Sequence, residues 1–262
     1  MQVQGSVVER KTMMQIIDAH VHIGRRHLPM ESVQAILDKA GADRAVIFAD
    51  PESGDIPDDN AYVLDSAKKE GHIPFFYVGG NAYSTNRPFD GLPDPEVLDG
   101  YSGIKWHCWF TPAHDFGGTH LGMDEDRIHQ VLTEPRMAAL MEKVMEMDVP
   151  VNFEEHFDIT QIFVDLYPGV KVIIPHMGAL NGGTERVLAS VGRRENVYFD
   201  VSLAGISADL VESFGVRKFL CGSDYPYGSP AWSIDRIRKL NVTEEERAAI
   251  FSGNVLRLTG ME

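Results

Sequence analysis

The chain has only two cysteines, Cys108 and Cys221. That excludes a disulfide framework and makes a reducing compartment, the cytoplasm, the expectation. No apolar run approaches the ~20 residues that cross a bilayer. Residues 1–15 are polar and mixed in charge, and lack the apolar stretch of a secretory signal. Basic residues are also scarce: 24 Lys and Arg against 39 Asp and Glu leave a formal charge of −15. That balance argues against nucleic acid and anionic membrane as partners and leaves small molecules and further copies of the chain. No linker-like stretch and no solenoid-period repeat interrupts the chain.

What is present is ordinary globular material, 44% hydrophobic and 24% charged over 262 residues, enough to bury a sizeable core. β-branched runs at 15–22, 44–49, 73–78, 103–107, 149–154, 170–175, 197–201 and 218–222 read as eight strands. Helical patterns lie between them at 30–40, 59–70, 94–98, 134–147, 160–167, 184–191, 206–214 and 233–240, and a last one spans 244–259. Strict alternation of this kind predicts parallel strands with crossover helices, and eight repeats predict an α/β (β/α)8 TIM barrel in a single domain. That domain covers 15–262, after an N-terminal extension over 1–14. An open doubly wound sheet competes, but no Gly-x-Gly-x-x-Gly follows the first strand. Residues 81–99 and 111–122 are rich in Pro, Gly, Asn and Asp and read as long loops.

Metal-capable side chains recur at the C-terminal ends of the strands, where barrel enzymes hold their chemistry. The first strand ends in Asp18-Ala19-His20-Val21-His22. Side chains alternate along a strand, so His20 and His22 share a face and form half of a metal site. By the same rule Lys105 and His107 share a face, as do Asn152, Glu154 and His156, while Cys108 and Cys221 point away. His176 and Asp224 follow the sixth and eighth strands. Bland readings stand beside these. Asp224 or Ser223 could cap the helix that follows, and His176 could be a satisfied loop histidine. Lys105 is costly to bury without a partner, which favours a place in the pocket. Arg25 and Arg26, just after the histidine pair, could hold an anionic substrate. Trp109, His114, Tyr225 and Tyr227 are candidate substrate contacts, and Asp200 and Ser202 read as supporting residues.

Several segments in order resemble the amidohydrolase superfamily, in the amidohydrolase-related branch that includes aminocarboxymuconate-semialdehyde decarboxylase. They are Asp18 to His22, Gly103-Ile104-Lys105-Trp106-His107, Pro175-His176-Met177-Gly178, Asn196 to Ser202, Gly222-Ser223-Asp224-Tyr225-Pro226 and Gly253-Asn254-Val255-Leu256-Arg257-Leu258. The resemblance implies a barrel with one or two divalent metals, zinc first and manganese second. It assigns His20 and His22 as ligands, Asp224 as a ligand or as the base for a metal-activated water, and His176 to polarising the substrate or bonding that water. The family's fifth-strand ligand is usually a histidine, and here Glu154 aligns with it. Carboxylate oxygen also binds zinc, and His156 is the alternative ligand. Some relatives carry a carbamylated fourth-strand lysine bridging two metals, which would be Lys105.

The implied activity is metal-dependent hydrolysis of a small ester, lactone or amide, with Asp224 and His176 as catalytic residues and Lys105, His107, Arg25 and Tyr225 against the substrate. The alternatives are nonoxidative decarboxylation of a small carboxylic acid, and a barrel that has lost its metal and its catalysis.

Overall fold

The computed structural model describes residues 14–52, 55–79, 92–107 and 125–261. Among these residues the strands are β1 (Ile17–Ile23), β2 (Arg44–Ala49), β3 (Ile73–Pro74), β4 (Phe76–Gly79), β5 (Ile104–His107), β6 (Pro150–Glu154), β7 (Lys171–Ile174), β8 (Val197–Asp200) and β9 (Phe219–Leu220). The helices are α1 (Met30–Ala40), α2 (Ile56–Glu70), α3 (Glu125–Leu132), α4 (Pro135–Glu146), α5 (Phe157–Leu166), α6 (Thr184–Val191), α7 (Ala208–Phe214), α8 (Pro230–Arg238), α9 (Glu244–Ala248) and α10 (Asn254–Thr259). All strand pairs are parallel, in the orders β1-β2-β3 and β4 through β9.

β3 and β4 are halves of one strand interrupted at Phe75. The Phe75 N–H bonds the Ile47 carbonyl and the Phe76 N–H bonds the Gly103 carbonyl, each at 2.9 Å, so the interrupted strand joins the two sheets. The last strand returns to the first. Ala19 N–H bonds Cys221 O at 2.6 Å, Asp224 N–H bonds His20 O at 2.9 Å and His22 N–H bonds Tyr225 O at 2.8 Å. The molecule is therefore a (β/α)8 barrel.

Helix ends follow local chemistry. α1 and α2 stop at Gly41 and Gly71, both left-handed (φ 80° and 81°), where glycine carries no steric cost. α5 starts three residues earlier than its apolar pattern predicts, because His156 caps it. The pattern expected to be helical at 94–98 is one 3-10 turn over Pro95–Leu98, and α3, which no expected helix covers, is a short helix whose Ile128 and Leu132 are buried. The expected final helix is split into α9 and α10 by a π turn at Ala249–Gly253.

Two apolar layers result from the alternation of side chains. Outward residues such as Ile47, Trp106, Phe153 and Phe199 pack under the helices, with Phe153 stacked on Phe163 of α5 at 4.2 Å between ring centroids. Inward residues near the strand starts, among them Ile17, Ala19, Val46, Ile73, Ile173 and Leu220, meet Val255 and Leu258 of α10. The barrel floor is thus dry and filled, which confines polar chemistry to the other end. The register of β1 on β2 slips between Asp18 and Val21. Below the slip Ile17 and Ala19 join the floor, and above it His20 and His22 face the mouth.

Gly79 ends β4 at φ 154°, and a Cβ there would lie 1.7 Å from the His107 carbonyl oxygen. Gly79→Ala must push β4 from β5, with an expected loss of at least about 2 kcal/mol. Urea unfolding of both proteins measures it, and equal midpoints would refute the assigned pairing.

Candidate active site

The strand ends bring together residues that are far apart in sequence. His20 and His22 come from β1, Lys105 and His107 from β5, Asn152 and Glu154 from β6, and Asp200 from β8, all buried. His176 and Asp224 stand just beyond β7 and β9. Both have left-handed backbones (φ 49° and 62°), as does Met177 between His176 and Gly178 (φ 48°). Such a conformation costs a non-glycine residue about 1–2 kcal/mol. Hydrogen bonds hold it: His176 N–H to Asp200 Oδ1 at 3.2 Å, and Gly228 N–H to Asp224 O at 2.8 Å.

The two strand-1 histidines are fixed from behind. His20 Nδ1 bonds Asp200 Oδ2 at 2.8 Å and His22 Nδ1 bonds the Ala49 carbonyl at 3.2 Å. Both partners only accept, so each Nδ1 carries a proton and each Nε2 is the free ligand atom. Both Nε2 atoms face Asp224 Oδ1, at 3.1 Å from His20 and 3.2 Å from His22. Phe48 sets an edge-on ring against each imidazole, with centroids 5.1 and 4.7 Å away.

Burial holds the His22 pKa below its usual value despite Asp224. The imidazole is then neutral, and its Nε2 lone pair confronts a carboxylate oxygen. Two acceptors at that distance need a cation between them. Ligands about 2.1 Å from a tetrahedral ion stand about 3.4 Å apart, close to the spacing seen. His20, His22 and Asp224 thus fit a divalent metal, and His20, Glu154 and His176 form a second group that shares His20. Among the described residues neither nitrogen of the buried His176 has a hydrogen-bond partner, and its Nε2 lies 3.5 Å from both Glu154 Oε1 and Asp224 Oδ2.

Lys105 supplies the buried positive charge. Its Nζ donates to Glu154 Oε2 at 2.5 Å and Asn152 Oδ1 at 3.2 Å, and lies 3.3 Å from His20 Nε2. Burial would raise the Glu154 pKa, but Lys105, His176 and His107 together hold it well below the usual carboxylate range. Burial would raise the Asp224 pKa too, but His20 and His176 hold it well below its ordinary value. Burial pushes His107 down to about 3 against the pull of Glu154, and its Nδ1 meets the Tyr77 hydroxyl at 2.8 Å. For His20, burial and Lys105 lower the pKa, but Asp224 and Asp200 outweigh them and bring it to about 9.

Other sequence candidates lie elsewhere. β6 ends at Glu154, so the alternation does not extend to His156. That residue caps α5, its Nδ1 accepting from Asp158 N–H at 3.3 Å. The Arg25 side chain, 47% exposed, is paired with Asp58 at 2.9 Å. Tyr225 is partly buried and packs on the outer apolar layer. Ser229, not Ser223 or Asp224, caps α8. Cys221 is buried, whereas Cys108, Trp109 and His114 lie outside the described residues. Phe48 and Tyr77 were not legible as site residues, because a lone aromatic on a buried strand carries no motif.

Because His20 holds protons on both nitrogens below its pKa of about 9, an incoming ion must displace the one on Nε2. Zinc affinity, measured by chelator competition, should tighten about tenfold per pH unit between roughly pH 6 and 8. A flat profile would contradict this protonation state. Lys105→Met strands the Glu154 carboxylate and should cost about 3–5 kcal/mol in urea unfolding, most of it recovered when Glu154→Gln is added. An additive double variant would dissolve the pair.

A comparison with curated protein sequences returns no match. Solved structures share the fold at low identity. A 5-carboxyvanillate decarboxylase from Sphingomonas paucimobilis aligns over 95% of this chain and 100% of its own, with 12% identity and a TM-score of 0.63. A dihydroxybenzoic acid decarboxylase from a Polaromonas species, with bound manganese and 2-nitroresorcinol, aligns over 95% and 98% with 14% identity and a TM-score of 0.65. A probable 2-pyrone-4,6-dicarboxylic acid hydrolase from Acinetobacter baumannii, with citric acid bound, aligns over 94% and 100% with 14% identity and a TM-score of 0.62. The family model described as amidohydrolase matches residues 112–260, more than half of the sequence. The chain belongs to the amidohydrolase family.

Proposed function

We propose that the protein is a metal-dependent hydrolase of a small ester, lactone or amide. The observation that carries this reading is the His22 Nε2 lone pair aimed at Asp224 Oδ1, 3.2 Å away, in a buried site. His20, His22 and Asp224 would hold the ion, zinc by ligand type with manganese as the alternative, and Glu154 stands beside it through the shared His20. When bound, the ion supplies Lewis acidity, which lowers the pKa of a water and polarises a carbonyl.

The residues divide the remaining work. Asp224 Oδ1 faces the two strand-1 histidines, whereas Oδ2 faces His176. The anionic Asp224 is set to take a proton from the attacking water at Oδ2. His176 Nε2, 3.5 Å from that oxygen, is set to bond the substrate oxygen that gains charge, or to pass the proton to the leaving group. Lys105 balances Glu154 and adds positive potential below the reacting carbonyl. Tyr77 and His107 border the pocket on the β4–β5 side.

A second reading is decarboxylation of a small carboxylic acid. It is supported by decarboxylases among the structural neighbours, one of them holding manganese. The Arg25 side chain is turned to Asp58, whereas Lys105 is a buried cation beside the site. The two readings separate by product: acid and alcohol or amine in one case, carbon dioxide in the other.

The test is zinc- or manganese-loaded protein on lactones, esters and amides, and in parallel on small hydroxylated aromatic acids with carbon dioxide detection. Asp224→Asn should lower turnover by about 10²–10⁴, because the amide cannot accept the proton. Turnover within a few-fold of the parent would reject Asp224 as the base. Protein that takes up no divalent metal would end both readings.

A further inference from the structure

Asp200 is fully buried at the end of β8, and among the described residues four donors hydrogen-bond to its carboxylate. Oδ2 accepts the His20 Nδ1–H at 2.8 Å. Oδ1 accepts the His176 N–H at 3.2 Å, the Ser202 N–H at 3.0 Å and the Ser202 hydroxyl. One carboxylate therefore holds the His20 ring on one side and the left-handed turn that carries His176 on the other.

We propose that Asp200 is the positioning residue that selects the tautomer of His20, and through it the ligating nitrogen. With Nδ1–H committed to Asp200, Nε2 is the nitrogen that gives up its proton and faces a metal beside Asp224. An Asn in its place is isosteric but has one oxygen and one NH2. The backbone edge offers two fixed N–H donors, so the oxygen settles there and the NH2 turns to His20. Two donors then meet unless the His20 proton moves from Nδ1 to Nε2. That shift relieves the clash, lets Nε2–H donate to Asp224 Oδ1, and removes the lone pair from the metal site. The opposite amide orientation sets NH2 against the His176 and Ser202 N–H groups and opens the turn. Neither orientation satisfies both sides, and this distinguishes Asp200 from a carboxylate that merely fills space.

The proposal rests on the metal-site reading above, and its test separates the two. Zinc affinity is measured by chelator competition for the parent, Asp200→Asn and Ser202→Ala. Long-range proton–nitrogen spectra of histidine-labelled, zinc-saturated protein report which His20 nitrogen carries the proton. Asp200→Asn should bind zinc about 10- to 100-fold more weakly. Its His20 proton should sit on Nε2. Ser202→Ala removes one bond to Asp200 but leaves the His20 contact, and should stay within about threefold of the parent. Zinc uptake by the parent together with near-parental uptake by Asp200→Asn would overturn the role of Asp200 alone. A zinc-loaded parent whose His20 spectrum shows Nε2–H would overturn it as well, even if Asp200→Asn fails to fold. A parent that takes no zinc would refute the metal site itself and this proposal with it.

Discussion

A charge inside a closed barrel has no water to turn to, so each must find its counterpart on another strand. Lys105 of β5 leans on Glu154 of β6. His20 of β1 bonds Asp200 of β8 and faces Asp224 beyond β9. The His20 contacts exist only when the first strand meets the last strands, so burial of His20 and closure of the barrel go together. Breaking one partner would leave an uncompensated charge, which is far more costly than losing an exposed ion pair.

The same constraint divides the barrel along its axis. The floor is apolar and sealed by Val255 and Leu258 of α10, while the mouth holds imidazoles, carboxylates and one ammonium. The slip in β1 lies at the border between them. Strain is concentrated at the mouth too, in the left-handed His176, Met177 and Asp224. Each is a residue whose side chain or neighbour must reach the site, and the packed strands beneath supply the stability that offsets it.

The Glu154 carboxylate adds negative charge beside Asp224. Lys105 cancels that charge by taking Glu154 Oε2, which leaves Oε1 directed at His176 and His107. Lys105 Nζ also lies 3.3 Å from His20 Nε2, so the pair and the set His20, His22 and Asp224 meet at His20. The chemistry performed at such a mouth is not dictated by the barrel, since decarboxylases and a probable hydrolase share its outline at similar likeness.

Much of this was legible in the residues themselves. β-branched runs alternating with helical patterns specified the barrel, because strand and helix periods are local properties of the chain. His20 and His22 announced a shared face by spacing alone, and the cost of burying a lysine placed Lys105 in the pocket. Tertiary structure decided the rest. Parity extrapolated past β6 would have put His156 with Glu154, but the chain turns into α5 there and His156 becomes its cap. Arg25 follows the histidines closely, yet its side chain is captured by Asp58 of α2 while its backbone N–H bonds Asp59, contacts that no local pattern encodes. The partners of His20, at positions 105, 200 and 224, come from distant parts of the chain. Sequence spacing named the donors, and only closure of the barrel determined which nitrogen each would present.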